Sequence, residues 1–391
     1  MNKNNIFIGL ALSLALTSCG GGGVGVGGVL AGGGDGVGSG GTGIGPITGF
    51  GSIFVNGVHY DISNATMTLD DATSLKLGTT VKVTGTSSAD FSTGVASQVV
   101  SAADLRGSIT AIDTVAGTFE SQGSTVSVDS ETVFDGVTGL AALSINDSVQ
   151  VYGLLGAPGS LRASRVEKLG VAALPVVSGS LENLNTTAQS FKLGVLTVTY
   201  GSANFVGGLS KVQLANGMKV RVRSNTNPGA GVLQATQVQP WYDVPQPNGT
   251  AVNLAGIITD YAGLSSFKVL GTAVDASAAQ ITGGPGSAIG NGVKVEISGL
   301  MNNGVLVIGK LKIKHIPGTG GPASFNLLGT VGAFSSPANF KVQGQPVDAS
   351  AAGVVFSNGV VGDLKSGAKV TIVGSHVVNG VLIADTVTFN P

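Results

Sequence analysis

Three cations at alternate positions of a valine-containing segment form the most suggestive chemical pattern in the sequence. Lys219, Arg221 and Arg223 flank Val220 and Val222. Because successive side chains of a β-strand point to opposite faces, the three charges should share an outer face while the valines enter a core. Such a stripe could bind phosphate or carboxylate groups of an anionic polymer, such as lipopolysaccharide, acidic polysaccharide or extracellular DNA. A solvated strand whose charges protect an edge from mispairing is the alternative interpretation.

The histidines are too scattered to indicate a catalytic centre. His59, His315 and His376 fall in three different parts of the chain, and each is interpreted as a solvated residue at a strand edge. Acid–base or nucleophilic catalysis needs a group that titrates near neutral pH and a partner that orients it. We therefore predict no catalytic residue and no cofactor.

Acidic residues and cysteine give no recognisable cation site. Asp70 and Asp71 are adjacent, so on a strand their carboxylates would point to opposite faces, and the spacing of a calcium-binding loop is absent. Asp275 and Asp348 recur in two copies of VDASAA, which favours a hydrogen bond at a turn or strand end. The single cysteine, Cys19, excludes an intramolecular disulfide and a multi-cysteine metal site. We expect no bound metal.

The position of Cys19 indicates a covalent modification. An apolar run at residues 6–16 follows Lys3; it is too short to span a bilayer but has the length of a signal-peptide core. The segment LTSC that ends at Cys19 resembles the lipobox of bacterial lipoproteins, in which the cysteine is lipidated and becomes the mature N-terminus. An ordinary secretory signal with a chance cysteine is the alternative. Since Gly20 follows instead of aspartate, the resemblance implies anchoring to the outer membrane.

A glycine-rich stretch follows the predicted signal peptide of residues 1–18. Sixteen of residues 20–46 are glycine, so ordering them would cost more backbone entropy than their small side chains could offset. We predict a flexible tether over residues 19–45. A G-x-G-x-x-G pattern inside it lacks a preceding strand and a following helix, so no dinucleotide site is expected.

The composition predicts an all-β protein. Of 391 residues, 10% are charged and 5% aromatic, while 64 are glycine. This profile favours many short strands joined by tight turns, because amphipathic helices would need more Glu, Lys, Leu and Arg. The net charge of −1 provides no overall field that would attract nucleic acid, which is not an expected partner.

From Pro46 onward the sequence repeats itself. TAVDASAA at 272–279 and GVLVIGKL at 304–311 have counterparts in QPVDASAA at 345–352 and GVLIADTV at 380–387. Three earlier copies fit this pattern more loosely, and duplication explains the whole series. The predicted bounds of the five repeats are 46–103, 104–173, 174–243, 244–324 and 325–391.

Each repeat is predicted to form a small five-stranded β-barrel. Val149 and Val151 illustrate a fourth strand in which valines alternate with polar residues, so that one face is buried. Asn-Gly pairs at 303–304 and 379–380 suit a tight hairpin between the fourth and fifth strands. A three-stranded meander, a helical turn and a hairpin follow the order of an OB-type barrel, with a small sandwich or an SH3-like barrel as open alternatives. Because a unit of this size buries little core, we expect neighbouring barrels to stack.

Charge is distributed unevenly among the repeats. An acidic first half precedes a basic middle. Residues 46–103 contain 2 basic and 4 acidic residues, and residues 104–173 contain 4 basic and 8 acidic residues. Residues 174–240 contain 5 basic and 1 acidic residue, and residues 244–316 contain 5 basic and 3 acidic residues. Trp241 and Tyr242 lie in a segment that connects the third and fourth repeats. We predict that these two aromatic residues pack between barrels.

The repeat pattern resembles a known family. GFGSIFVNG at 49–57 and the recurring F-x-V-x-G, V-D-A and G-V-L-x-A-x-x-V elements are similar to bacterial lipoproteins that carry tandem copies of domain of unknown function 5666. The resemblance covers nearly all of residues 46–390, and the third repeat, with VTYG in place of V-D-A, departs furthest. It implies an exported, lipid-anchored β-protein and no known activity.

Together these observations favour a non-catalytic, lipid-anchored cell-envelope protein that acts as a scaffold or interaction module and holds a chain of small barrels away from the membrane. A binder of anionic polymers through Lys219, Arg221 and Arg223 is the second hypothesis, and a cell-surface hydrolase is the third. The expected partners are the outer membrane, reached through the lipid on the periplasmic side or at the cell surface, and cell-envelope proteins or anionic polysaccharide.

Overall fold

The computed structural model describes residues 40–317 and 324–391. This part of the chain consists of β-strands and short 3-10 turns arranged as five small barrels, so the predicted all-β class of tandem OB-like barrels is confirmed. None of the described residues belongs to a helix with the length and apolar character that a membrane span requires. Cys19, the predicted signal peptide and most of the predicted tether lie outside the described residues.

The first three barrels contain strands β1 to β19. In the first barrel they are β1 (Gly41–Phe50), β2 (Ile53–Val55), β3 (Val58–Asp61), β4 (Thr66–Leu69), β5 (Thr80–Ser87) and β6 (Thr93–Ser101). In the second they are β7 (Leu105–Asp113), β8 (Thr118–Ser121), β9 (Ser124–Ser127), β10 (Val133–Asp135), β11 (Ser148–Leu155) and β12 (Ser160–Leu169). In the third they are β13 (Val176–Asn185), β14 (Ser190–Leu193), β15 (Leu196–Thr199), β16 (Asn204–Phe205), β17 (Lys219–Arg223), β18 (Val232–Gln234) and β19 (Gln237–Pro240).

The last two barrels contain strands β20 to β33. In the fourth they are β20 (Ala251–Gly263), β21 (Ser266–Val269), β22 (Thr272–Asp275), β23 (Gln280–Thr282), β24 (Lys294–Asn302) and β25 (Val305–His315). In the fifth they are β26 (Phe325–Ser336), β27 (Asn339–Val342), β28 (Gln345–Asp348), β29 (Val355–Ser357), β30 (Lys369–Gly374), β31 (His376–Val378), β32 (Val381–Ile383) and β33 (Thr386–Phe389). The helical turn predicted before the fourth main strand is confirmed in four barrels, at Leu140–Ala142, Lys211–Gln213, Gly286–Ala288 and Val361–Asp363.

The second barrel shows how each unit closes. Strands β7, β8 and β9 form an antiparallel meander, and β9 pairs in parallel with the first half of β12. Strand β12 pairs with β11, which returns to β7 and completes the OB order. The second half of β12 pairs with the short strand β10, an element that the sequence pattern did not reveal.

The recurring glycine after the alternating valines has a steric reason. Gly85, Gly153, Gly299 and Gly374 lie where the fourth strand crosses the last hairpin of its barrel. A Cβ atom at these positions would lie 2.0 to 2.5 Å from a carbonyl oxygen of the opposite strand. Side chains are therefore excluded at the crossing, which lets the strands bend tightly enough to close so small a barrel.

The barrels share their apolar cores in pairs that are not consecutive in the chain. One continuous apolar cluster is formed mainly by the second and fourth barrels and a second mainly by the first and fifth, while the third barrel has a core of its own. The prediction that barrels stack is therefore correct, because each small core is extended by a neighbour. The barrels do not form a simple linear series, since the fourth and fifth barrels pack back onto the second and first. Their spacing from a membrane stays a prediction.

Strand β1 is the backbone connection between three barrels. Residues 41–44 pair with β5 of their own barrel on one side and, in parallel, with β20 on the other. Its last two residues, Gly49 and Phe50, pair with Asn326 and Leu327 of β26. One strand of the first barrel thereby continues into the sheets of the fourth and fifth.

The predicted tether ends earlier than expected, because residues 41–45 belong to β1 and are buried. A Cβ atom at Gly43 would lie 2.7 Å from the Tyr60 hydroxyl, and one at Gly45 would lie 2.0 Å from Oδ1 of Asn56. These glycines allow close packing, whereas the sequence interpretation attributed them to flexibility.

The GFGSIFVNG segment that follows contacts both partner barrels. A Cβ atom at Gly49 would lie 2.2 Å from the Asn326 carbonyl oxygen of the fifth barrel. Nδ2 of Asn56 donates a hydrogen bond of 2.8 Å to the carbonyl oxygen of Ile44 in its own barrel and one of 3.3 Å to the carbonyl oxygen of Asn253 in the fourth barrel. The most specific part of the sequence resemblance is therefore a docking surface between repeats.

Candidate functional site

Strand β17 places the three predicted ligand contacts on one face. Val220 and Val222 are fully buried in the core of the third barrel, and Lys219, Arg221 and Arg223 share the opposite face as predicted. The junction of the first and second repeats covers the centre of that face, so the face is not exposed to solvent along its whole length. Arg221 is only 1% exposed, so the prediction of a solvent-facing stripe is wrong for this residue.

Asp71 of the first repeat neutralises the covered cations. Its carboxylate contacts Nη2 of Arg221, and Oδ1 lies 3.1 Å from Nη2 of Arg223 and 3.0 Å from Nη1 of Arg106. The amide of Ala103 donates a further hydrogen bond of 3.1 Å. Burial alone would raise the pKa of Asp71, but the three guanidinium groups outweigh burial and hold the pKa below its usual value. One carboxylate thus connects the first, second and third repeats.

Arg221 has further partners that suit a desolvated cation. Its Nε donates to the Ala103 carbonyl oxygen at 2.7 Å, and its guanidinium lies 5.2 Å from the centre of the Trp241 ring. Burial lowers the pKa of Arg221, while Asp71 acts in the opposite direction. Arg221 is therefore held by contacts within the protein and is not available to an external polymer.

Neutralising Asp71 should destabilise this junction. We expect Asp71→Asn to lower the free energy of unfolding by about 2 kcal/mol, because hydrogen bonds to a charged group are lost while Asp70, with an Oδ2 atom 3.6 Å from both Arg221 and Arg223, retains part of the countercharge. Urea unfolding at neutral pH measures the change. Asp70→Asn is the matched control; its side chain is 41% exposed, and we expect less than about 1 kcal/mol. An equal or larger effect at Asp70 would contradict the assignment.

A second carboxylate, Asp104, lies fully buried between the first two barrels. Its Oδ2 accepts hydrogen bonds from the Thr80 hydroxyl at 3.0 Å and the Gly153 amide at 2.8 Å. Its Oδ1 accepts bonds from Nε1 of Trp241 at 2.7 Å and the Tyr242 hydroxyl at 2.5 Å. Burial raises the pKa of Asp104 to about 6 even though all four donors favour its charged form. The predicted packing of both aromatic residues between barrels is confirmed.

The second and fourth barrels are joined by another buried charge cluster. Nζ of Lys294 lies 2.7 Å from Glu131, Nζ of Lys314 lies 2.8 Å from the same carboxylate, and Asp129 lies 3.5 Å from both Lys294 and Arg162. Burial would raise the pKa of Glu131, but the two ammonium groups lower it below its usual value. The cluster connects an acidic repeat to a basic repeat.

The first and second barrels also share charges at a third position. Arg165 is 2% exposed and contacts Asp135, while its Nε lies 2.6 Å from Glu167. Lys76 of the first repeat approaches the same two carboxylates at 3.0 and 3.3 Å. Lys76 thus extends an ion pair of the second barrel across to the first.

The predicted aspartate turns are confirmed. Oδ1 of Asp275 accepts hydrogen bonds from the amide and hydroxyl of Ser277 at 2.9 and 2.6 Å. Asp348 binds Ser350 in the same way, at 2.8 and 2.6 Å. Both residues therefore stabilise the turn after the third strand of their barrel.

The three histidines remain apart from one another in the fold. Nε2 of His59 lies 2.7 Å from the Gly51 carbonyl oxygen, and its ring stacks on Phe54. His315 is half-buried beside the charge cluster of the second and fourth barrels, and burial lowers its pKa. Only His376 is exposed, so the prediction of solvated edge residues is wrong for the other two. Within the described ranges, no set of three or more metal-binding side chains converges on one point.

Sequence reasoning missed Asp104 and the bridging role of Asp71, although one signal pointed to them. The acidic excess of the first two repeats and the basic excess of the next two are complementary. Such charges can be buried when they pair across repeats, because an unpaired buried ion carries a large desolvation free energy.

Comparison with known families locates the repeats in the sequence. The family described as Domain of unknown function (DUF5666) matches residues 44–99, 106–167, 178–239, 255–307 and 329–388, one segment in each barrel. No curated protein matches the chain.

Proposed function

This chain belongs to the family described as Domain of unknown function (DUF5666). From that premise we propose that it is a non-catalytic, lipid-anchored cell-envelope protein. Its five barrels form one preassembled scaffold for interaction with a partner. The scaffold role is supported by the buried carboxylates that bind side chains across the junctions between repeats. Asp71, Asp104 and Glu131 each hold side chains from different repeats. Barrels fixed in this way offer a partner a composite surface without the entropic cost of ordering them on binding.

Anionic polymers are not the favoured partner. The hypothesis required Lys219, Arg221 and Arg223 to be exposed together, whereas Arg221 is buried and both arginines pair with Asp71.

Turnover of any substrate in a hydrolase panel would contradict the non-catalytic part of the proposal.

The anchoring part is tested at Cys19. In a bacterial host fed an alkyne-labelled fatty acid, the wild-type chain should incorporate the label and sediment with outer membranes. Cys19→Ser should not incorporate the label, and its membrane-bound fraction should be at least tenfold lower than that of the wild type. The reason is that the serine hydroxyl does not replace the thiol as the lipidation nucleophile.

The matched control for this experiment is Ser18→Ala, which keeps a small residue before the cysteine. We expect this variant to be labelled and sedimented like the wild type. Membrane retention of Cys19→Ser at the wild-type level would overturn the anchor and leave the scaffold role to be judged on its own evidence.

A further inference from the structure

A polar cleft of about 910 Å³ separates the third barrel from the fourth. Residues Ala157 and Pro158 of the second barrel form its third side. Its size falls within the range of about 300 to 1,000 Å³ that small-ligand sites occupy. The cleft thus lies where three repeats that the charge clusters hold together meet.

Equivalent asparagines of the two barrels line opposite walls of this cleft. Oδ1 of Asn216 accepts the amide hydrogen of Leu184 at 3.0 Å, and Oδ1 of Asn291 accepts that of Tyr261 at 2.9 Å. Each bond fixes the orientation of its side-chain amide. Neither NH₂ group has a hydrogen-bond partner within the described part of the chain, so both are oriented donors that a ligand can use.

The charged residues of the cleft are balanced. Lys268 pairs with Asp260 at 2.8 Å, and Lys219 donates one hydrogen bond to the Ser180 hydroxyl and keeps two further donors. Glu182 is half-buried and has no ion-pair or hydrogen-bond partner among the described residues. Two cations and two carboxylates make the lining neutral overall, with donors and acceptors interleaved.

We propose that this cleft binds a neutral oligosaccharide. Every sugar hydroxyl both donates and accepts hydrogen bonds, which suits the NH₂ donors of Asn216 and Asn291, the acceptor oxygens of Glu182 and the remaining donors of Lys219. A lining without net charge gives no advantage to an acidic polymer, so a neutral chain is favoured. The inference names a partner class for the proposed interaction role and is independent of the lipid anchor.

Binding is tested with the full chain in micelles of lauryldimethylamine oxide, a detergent without a sugar headgroup. The probes are maltohexaose, cellohexaose, mannohexaose and the N-acetylglucosamine hexamer, with hexagalacturonate as the acidic counterpart, each followed by saturation-transfer NMR and titration. We expect at least one neutral hexasaccharide to bind, and to bind at least tenfold more tightly than hexagalacturonate.

The double variant Asn216→Asp with Asn291→Asp tests the site itself. Each aspartate keeps an acceptor for the Leu184 or Tyr261 amide but removes the NH₂ donor, so the fold is retained and sugar binding should weaken at least tenfold. The control pair Asn225→Asp and Asn227→Asp adds the same charge in an exposed loop outside the cleft and should leave binding unchanged.

Three results would overturn the inference. They are the absence of binding by every neutral hexasaccharide, tighter binding of hexagalacturonate, and equal binding by the cleft variant and the wild type. None of them bears on fatty-acid labelling at Cys19, so failure here is distinguishable from failure of the anchor.

Discussion

Replacing Asp104 with alanine should lower the free energy of unfolding by about 3 to 6 kcal/mol, because three buried donors and the half-buried indole of Trp241 lose their acceptor at once. The donors belong to the first barrel, the second barrel and the segment that leads to the fourth. Trp241 is the only tryptophan of the chain, so its fluorescence during urea unfolding reports this junction directly. Circular dichroism on the same samples follows the barrels as a whole.

The matched control is Asp243→Ala, one residue beyond Tyr242. Asp243 is exposed, so we expect a change within about 0.5 kcal/mol. Similar losses for Asp104→Ala and Asp243→Ala would contradict the role of Asp104 at the junction.

The titration of Asp104 gives the same prediction a pH dependence. Its pKa is about 6 in the folded protein against an ordinary value of 3.8, so the folded state binds the proton more tightly. Stability from the protonated group is therefore fully present below about pH 4 and is lost as the pH rises through 6, a change of roughly 3 kcal/mol. Wild-type stability measured against Asp104→Asn, which does not titrate, should increase as the pH falls from 7 to 4. A constant difference would show that the carboxylate does not titrate in this range.

Gly49→Val should separate the first barrel from the fifth. Its Cβ atom would lie 2.2 Å from the Asn326 carbonyl oxygen and 3.0 Å from the Phe54 ring, and main chain cannot move aside as a flexible side chain does. We expect a loss of about 3 kcal/mol, at the upper end of overpacking effects. Amide hydrogen exchange in the peptide that covers the start of β26 should accelerate at least tenfold, because its pairing with Gly49 and Phe50 is lost.

Gly309→Val provides the control inside a strand. Nothing lies within 4 Å of a Cβ atom at Gly309, so stability should change by no more than about 0.5 kcal/mol and exchange in β26 should stay the same. Unaltered exchange in Gly49→Val would mean that the two barrels do not depend on this contact.

The individual barrel was largely predictable because its signals are local. The alternation of Val149 and Val151 and the hairpin at Asn303 are properties of neighbouring residues, and each maps onto the strand or turn that it predicts. The short strand β10 was missed because three residues that pair with half of a partner strand carry no periodicity.

The arrangement of the barrels could not be predicted in the same way. Five copies with one apolar pattern do not indicate which copy packs on which, and the choice depends on single features such as the missing side chain at Gly49. Arg221 shows the same limit: alternation places its side chain on the correct face, but periodicity does not distinguish a face covered by Asp71 from a face in water. Lipidation at Cys19 stays a prediction from the N-terminal sequence.

The pairing of β1 with β20 and β26 joins segments that lie far apart in the sequence. Residues 41–50 are synthesised well before their partners at 251–254 and 326–327. Contacts between residues so far apart in the sequence form slowly, and unpaired strand edges favour aggregation until those contacts have formed. We therefore expect the edge of β1 to favour aggregation until the last two repeats are present, because a chain that ends before residue 251 lacks both of these partner strands.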